Sequence, residues 1–327
     1  MNVVITGASG FVGGHLVDYV RSYAPEVTLG GIVRPHGGAV ASSSAGLRLV
    51  EADLADPAGV GAALSELRPD AVIHLAGQSS PQQSWLDPGG TLRANVLGIV
   101  HLIEGARRLG LRPAILVVGS AEEYGRADSQ DAPLSEATPL RPGSPYAVSK
   151  VAQGLLAVEC GTPAGMRVVR TRTFHHTGPG RGEAFAESSF ARQIAEIEAG
   201  LRPPVIHVGN LEAVRDFTDV RDVVRAYWAL LERGQAGQVF NVCSGRGRRI
   251  RELLDVLLGL ARASVEIRVD PDRLRPSEVS VLVGDPSHLQ AATGWKPEIP
   301  IEKTLFDLLA DWRRRVGGAA ALGAIRS

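Results

Sequence analysis

Cysteine and methionine are nearly absent, with two of each in 327 residues, and aromatic residues make up only 5% of the chain. The cysteines, Cys160 and Cys243, cannot form a disulfide framework and have no metal-ligand spacing. No metal is therefore expected, and a reducing, cytoplasmic setting is. Charge of one sign is also lacking: 35 Lys+Arg balance 35 Asp+Glu, for a formal net charge of zero. Such a chain has no overall field to draw nucleic acid or an anionic membrane surface, so any phosphate binding must come from a local site. No uninterrupted run of about 18 apolar residues occurs, which argues against a membrane-spanning helix. The opening segment 1–14 is apolar but lacks a basic leader and is broken by glycines, so it is not expected to act as a secretory signal.

What is abundant is glycine, 38 residues of it, and an alternation of short β-branched runs with longer helical patterns. The runs predict strands at Asn2–Thr6, Val27–Val33, Leu47–Glu51, Ala71–Leu75, Ala114–Val118 and Arg167–Thr173. Helices are expected at Gly10–Ser22, Pro57–Leu67 and Thr91–Arg108. Continuously apolar strands separated by helices indicate a doubly wound, Rossmann-type parallel sheet covered on both faces. At roughly 100–200 residues per domain, the length allows two domains, or one large α/β domain with an appended lobe. The rhythm changes near residue 176. His176–Gly182 reads as a loop and Glu187–Ala199 as a helix. Val265–Gly284 reads as short strand-like pieces, and Glu302–Arg315 as a closing amphipathic helix. This half is expected to form a smaller C-terminal substrate-binding lobe, with residues 316–327 as a frayed, flexible tail.

The first strand runs into Gly7-Ala8-Ser9-Gly10-Phe11-Val12-Gly13 and then a helix. Gly7 permits a tight turn, Gly10 lets backbone approach a diphosphate, and Gly13 lets the helix pack closely on the sheet. The helix N-terminus offers free N–H groups to the phosphates. The spacing is GxxGxxG, and the strand–turn–helix context makes it a dinucleotide signature rather than a plain structural turn. No acidic residue lies between Leu29 and Val50, and Arg34 ends the second strand. A 2′-phosphate calls for Arg there, so NADP(H) is favoured over NAD(H); the alternative is a solvated strand end. Asp53 and Leu54 are placed to touch the adenine, and Leu75-Ala76-Gly77 to let backbone pass the cofactor.

Tyr146 and Lys150 stand four residues apart, on one helical face. A phenol near pKa 10 is a poor acid–base catalyst at neutral pH, and a neighbouring ammonium would favour its phenolate. Such a pair is common on ordinary helices and gains meaning from Ser120, which follows the strand Ala114–Val118. Its hydroxyl could hydrogen-bond a substrate carbonyl.

Gly7–Gly13, Ser120 and Tyr146/Lys150, in this order, resemble the extended short-chain dehydrogenase/reductase family that acts on nucleotide sugars, over roughly residues 2–315. Val118–Gly125, His176–Gly180, Arg215–Asp222, Phe240–Gly245 and Arg275–Val279 resemble its GDP-sugar branch. Gln78–Asn95 and Asn241–Gly245 look more like that branch's keto-sugar reductases than its 4,6-dehydratases.

The resemblance implies a catalytic Ser120, Tyr146 and Lys150, with NADPH reducing the C4 ketone of a GDP-4-keto-6-deoxy-hexose. Glu122 stands where a dehydratase carries its general base, which leaves dehydration or epimerisation as the alternative; a loop cap or an Arg partner is its plain reading. A third reading is a non-catalytic dinucleotide sensor. Gln78, Ser79, Glu122, His175, Arg192, Arg215, Arg275 and Glu278 are implied as substrate contacts, with Arg181 a further candidate. His175 departs from the family's usual Asn, which puts the sugar pocket in question. Arg221 and Arg225 read as solvated helix residues. The resemblance further implies residues 1–175 as the NADP(H) domain with 209–243 returning to it, 176–315 as the substrate lobe, and a homodimer through Thr91–Arg108 and Pro145–Cys160.

Overall fold

The structure, a computed structural model, describes residues 1–35, 47–125, 133–273 and 279–324. The chain opens with β1 (Asn2–Thr6), α1 (Phe11–Tyr23), β2 (Thr28–Val33), β3 (Arg48–Glu51), α2 (Pro57–Leu67) and β4 (Ala71–His74). Two short helices, α3 (Pro81–Leu86) and α4 (Pro88–Leu92), lead through a π-helical turn at Arg93–Leu97 into α5 (Gly98–Arg108). Then come β5 (Ala114–Ser120), α6 (Pro145–Gly161), β6 (Val168–Thr173), β7 (His175–Thr177), α7 (Ala186–Glu198) and β8 (Val205–Val208). They are followed by β9 (Val214–Asp219), α8 (Val220–Arg233), β10 (Val239–Val242), β11 (Gly247–Arg249) and α9 (Ile250–Gly259). The chain closes with β12 (Glu266–Val269), β13 (Val281–Leu282), α10 (Ser287–Thr293) and α11 (Ile301–Ala324).

Seven strands form one parallel sheet in the order β3-β2-β1-β4-β5-β6-β10. Side chains alternate across a strand, so β1 serves both faces. Val3 and Ile5 join Leu16 and Val17 of α1 and Val223, Tyr227 and Leu231 of α8 on one side. Val4 joins α2 and α5 on the other, through Val60, Leu64, Ile99 and Leu102. A further core, built on Phe190, Ile194, Leu253, Leu257, Leu305 and Leu308, ties α7, α9 and α11 together. Strand order reverses between β1 and β4, and a doubly wound sheet binds ligands in the crevice beyond the strand ends at that point.

Most predicted boundaries lie within two residues of the observed ones, the normal scatter of element ends. Four readings change. His175–Thr177, which overlaps the start of the expected loop His176–Gly182, is strand β7, pairing in parallel with Phe217–Asp219 of β9. The helix expected at Thr91–Arg108 is interrupted by the π-turn, where Asn95 is fully buried. The tail does not fray at residue 316: α11 continues to Ala324, as its alanine-rich sequence favours. Arg221 and Arg225 are clamps rather than solvated residues. Arg221 holds Asp219 and Asp307, and Arg225 pairs with Asp222 and Glu298, tying α8 to the start and flank of α11. Among the described residues no helix is long and apolar enough to cross a membrane.

Candidate active site

A cavity of about 930 Å³ opens at the β1/β4 switch point. Its walls include Gly7, Gly10, Phe11, Val12 and Gly13 from the first turn, Arg34 after β2, and Asp53 and Leu54 after β3. Leu75, Ala76 and Gly77 follow from the end of β4, then Gln78 and Ser79. Gly7 has φ +75°, a left-handed conformation that glycine adopts without strain. A Cβ on Gly13 would lie 2.3 Å from the Gly7 carbonyl oxygen, so only glycine fits this approach. Helix α1 has Gly10 as N-cap, with no side-chain cap and no acidic residue in its first turn. Its N–H donors and positive dipole end therefore face the cavity unclaimed by side chains, a ready site for a phosphate.

Helix α6 starts cleanly, with the Ser144 hydroxyl accepting from the Ala147 amide at 3.1 Å and Pro145 in its first turn. That start aims Tyr146 and Lys150, both nearly buried, into the cavity. Ser120 ends β5, and its hydroxyl lies close enough to the Tyr146 phenol to favour the ionised form. Burial pushes that phenol up to about 12, outweighing the lowering from Ser120 and from the nearby Arg181 charge. The expected lowering by Lys150 is not the dominant effect. Its ammonium donates to the Val118 carbonyl and to Gln153 Oε1, each at 2.7 Å. Burial brings Lys150 down to about 8, opposed by Glu123.

Of the two acids after Ser120, Glu123 is the structural one. Its carboxylate accepts from the Ser120 amide at 2.9 Å and faces Arg172 at 3.4 Å. Glu122 instead lines the cavity. His175 and Arg215 line it as well, Arg215 being buried with one nitrogen donating to the Val214 carbonyl at 2.9 Å. Arg192 is not among the cavity-lining residues itself, but pairs with Glu183, which is, and with Glu196. Arg275 and Glu278 lie outside the described residues.

Several residues in and behind the cavity escaped sequence reasoning. Asn95, fully buried behind the wall at the π-turn, accepts from the Gln78 amide at 2.7 Å and donates to Ser149 Oγ at 2.8 Å. It thereby fixes the chain after Gly77. Phe185, Glu187 and Phe190 enter from α7 and its approach. No local pattern marks them, because only the packing of the second core turns that helix toward the sheet.

The sequence matches the family described as GDP-mannose 4,6-dehydratase over residues 4–308. It is 39% identical over 312 residues to the GDP-6-deoxy-D-mannose reductase of Pseudomonas aeruginosa, covering 95% of this chain and 97% of that one. A GDP-mannose 4,6-dehydratase of Vibrio cholerae is 28% identical, covering 94% of this chain and 92% of that one. Among solved structures, RMD from P. aeruginosa in complex with NADPH superposes with a TM-score of 0.85 at 38% identity, covering 96% of this chain and all of that one.

Proposed function

The chain belongs to the GDP-mannose 4,6-dehydratase family, and on that premise we propose that it is an NADPH-dependent reductase. Its substrate is the C4 ketone of a GDP-4-keto-6-deoxy-hexose, and its product GDP-rhamnose or the C4 epimer. The observation that carries this reading is the Ser120 hydroxyl and the buried Tyr146 phenol beside Lys150, in one cavity with the glycine turn and Arg215. The likeness to a named GDP-sugar reductase and to an NADPH complex supports both the reaction and the cofactor.

The residues present fit the dinucleotide. The Gly7–Gly13 turn, including Phe11 and Val12, would take the diphosphate at the α1 N-terminus. Arg34 suits the 2′-phosphate, Asp53 and Leu54 the adenine, and Leu75, Ala76 and Gly77 give room for the nicotinamide half. Tyr146 and Lys150 would hold the nicotinamide ribose. When bound, NADPH supplies the hydride that reduces C4. Ser120 hydrogen-bonds the ketone oxygen and steadies the charge that develops on it. Tyr146, kept neutral by burial, gives that oxygen its proton. A phenol held near 12 is in the acid form that reduction needs at neutral pH. Gln78, Ser79, His175 and Arg215 serve the sugar and its diphosphate; Arg suits a phosphate through its planar fork of donors.

In this reading residues 1–175, with 209–243, form the cofactor half and 176–315 the substrate half. Two chains pair through Thr91–Arg108 and Pro145–Cys160. Leu92, Leu97, Val148, Leu155 and Leu156 are exposed along those segments, and a shared apolar interface would cover them. The enzyme works in the cytoplasm, consistent with its free cysteines.

Glu122 in the cavity favours one second reading, a 4,6-dehydratase that recycles its cofactor. Mixing the protein with NADPH and GDP-4-keto-6-deoxy-mannose tests both. Ketone-dependent loss of NADPH absorbance supports the reductase. Dehydration of intact GDP-mannose without net NADPH loss supports the dehydratase.

A further inference from the structure

The chain has three lysines, and two of them, Lys296 and Lys303, are exposed. Lys150 is buried in α6, where a charged ammonium is costly unless its donors are met. Two of its three N–H donors are taken, by the Val118 carbonyl of β5 and by Gln153 Oε1, each at 2.7 Å. That leaves one N–H for whatever enters the cavity, whose wall Lys150 joins. Among the described residues Gln153 is the one side chain that accepts a hydrogen bond from it.

Gln153 stands three residues beyond Lys150, the spacing that brings two side chains together on a helix face, and it is fully buried. An ammonium can only donate, so the amide must turn its oxygen to Lys150. The amide nitrogen is then left buried with no hydrogen-bond partner among the described residues. An orphaned buried donor is unfavourable, and an apolar side chain of similar volume would fill the space without one. The amide at this place is therefore explained by its oxygen. Being neutral, that oxygen supports the ammonium without quenching its charge, as a carboxylate would.

The ionisable neighbours act less directly. Glu123, beyond β5, attracts the ammonium without bonding to it, and is itself paired with Arg172 of β6. Arg170 of β6 also feels Glu123. His74 of β4 is held neutral by burial and by the Lys150 charge. Glu122 and Arg181 bear on the Tyr146 phenol, one turn back on α6. Among the described residues α3, α4 and α5 bring no charge to bear on Lys150. From the π-turn, the residue that meets α6 there is the uncharged Asn95, through Ser149.

We propose that Gln153 is the positioning residue of this lysine, anchoring the charged ammonium against β5 so that its third N–H stays free for the cofactor's ribose. What the ammonium does rests on the reductase reading above; where Gln153 holds it does not. Val118 offers a backbone carbonyl that no side-chain change removes, so Gln153 is the adjustable half of the anchor. Burial brings Lys150 down to about 8. Losing an acceptor lowers it further, and a carboxylate in place of the amide raises it.

With so few lysines, the ¹³Cε signals of labelled lysine can be followed through a pH titration of the ligand-free protein. Lys150→Arg assigns the signal from the cavity. Gln153→Met keeps the volume and removes the oxygen, while Gln153→Glu keeps the shape and adds a charge. The Lys150 titration should move down by about one unit in Gln153→Met and up by about one unit or more in Gln153→Glu. The upper pH limb of kcat for ketone reduction should move with it in each variant. At pH 7, KM for NADPH should rise roughly three- to tenfold in Gln153→Met and stay within about twofold in Gln153→Glu. A residue that only packs gives no such opposed shifts. A Lys150 titration unmoved in both variants, or moved the same way in both, would overturn the assignment, whatever the change in thermal stability. If Gln153→Met does not fold, the isosteric Gln153→Glu still decides, and no upward shift in it would overturn the anchor. Opposed titration shifts in a protein that spends no NADPH on the ketone would uphold the anchor and overturn the reductase reading.

Discussion

Tyr146 serves as an acid or a base according to what surrounds its phenol. Burial holds it neutral, and Ser120 and Arg181 pull in the other direction without prevailing. Tyr146→Phe should lower kcat for ketone reduction by roughly 10²–10⁴-fold, while NADPH still binds, weakened at most about tenfold by loss of the phenol's ribose contact. A sensor without catalysis would be indifferent to the change. Lys150 sets the pH range. Its ammonium is the form that supports the tyrosine, and burial brings it to about 8 against the opposing pull of Glu123. The reduction rate should therefore be level through neutral pH and fall as pH rises through about 8; a rate that climbs across that interval would contradict the role. Tyr146, Lys150 and Ser120 were legible because spacing and a preceding strand suffice to bring them forward. The division of labour between Glu122 and Glu123 was not, since it depends on Arg172, which the neighbouring strand β6 brings beside Gly119 from some fifty residues away in the chain.

Helix α1 and its approach form the element on which cofactor binding turns. Gly13 packs against the Gly7 carbonyl with no room for a methyl group. Gly13→Ala must push the turn open, at a cost of about 1–3 kcal/mol typical of overpacking. NADPH affinity should fall at least tenfold by calorimetry, with the thermal unfolding midpoint lowered only slightly. The parallel strands were readable from the sequence because strands buried on both faces are apolar throughout, as Val72 and Ile73 of β4 are. The π-turn at Arg93–Leu97 was not. One extra residue in a turn leaves the hydrophobic spacing of Thr91–Arg108 nearly intact, yet swings Asn95 onto Gln78. Strand β7 was hidden for another reason. Three residues beside a Gly-Pro run carry no period of their own, and only β9 makes them a strand.

Across the whole molecule, the cavity floor rests on buried polar groups that tie stability to pH. His74 is fully buried against Thr6, sharing a 2.9 Å hydrogen bond with it. Burial first, and the Lys150 charge second, hold its imidazole down to about 3. An unfolded histidine titrates near about 6.5. The stability contributed by the neutral ring is thus complete above that pH and is lost as pH falls toward 3. In denaturant titrations, the stability gap between wild type and His74→Asn should narrow from pH 7 to about 5; a gap that widens would contradict this. The change of rhythm near residue 176 was readable in the sequence, since the regular alternation of strand and helix breaks there. How the second half turns α7 toward the sheet was not, because it follows from a core shared by α7, α9 and α11. The central claim is a net reduction at C4 by a chain that spends its NADPH. NADPH deuterated at its hydride-donating position, incubated with the protein and GDP-4-keto-6-deoxy-mannose, tests this most directly, with mass spectrometry and NMR of the sugar. The account predicts one deuterium at C4 of the 6-deoxyhexose and an equal amount of NADP⁺. A sugar without deuterium, or conversion of intact GDP-mannose with no net loss of NADPH, would contradict it.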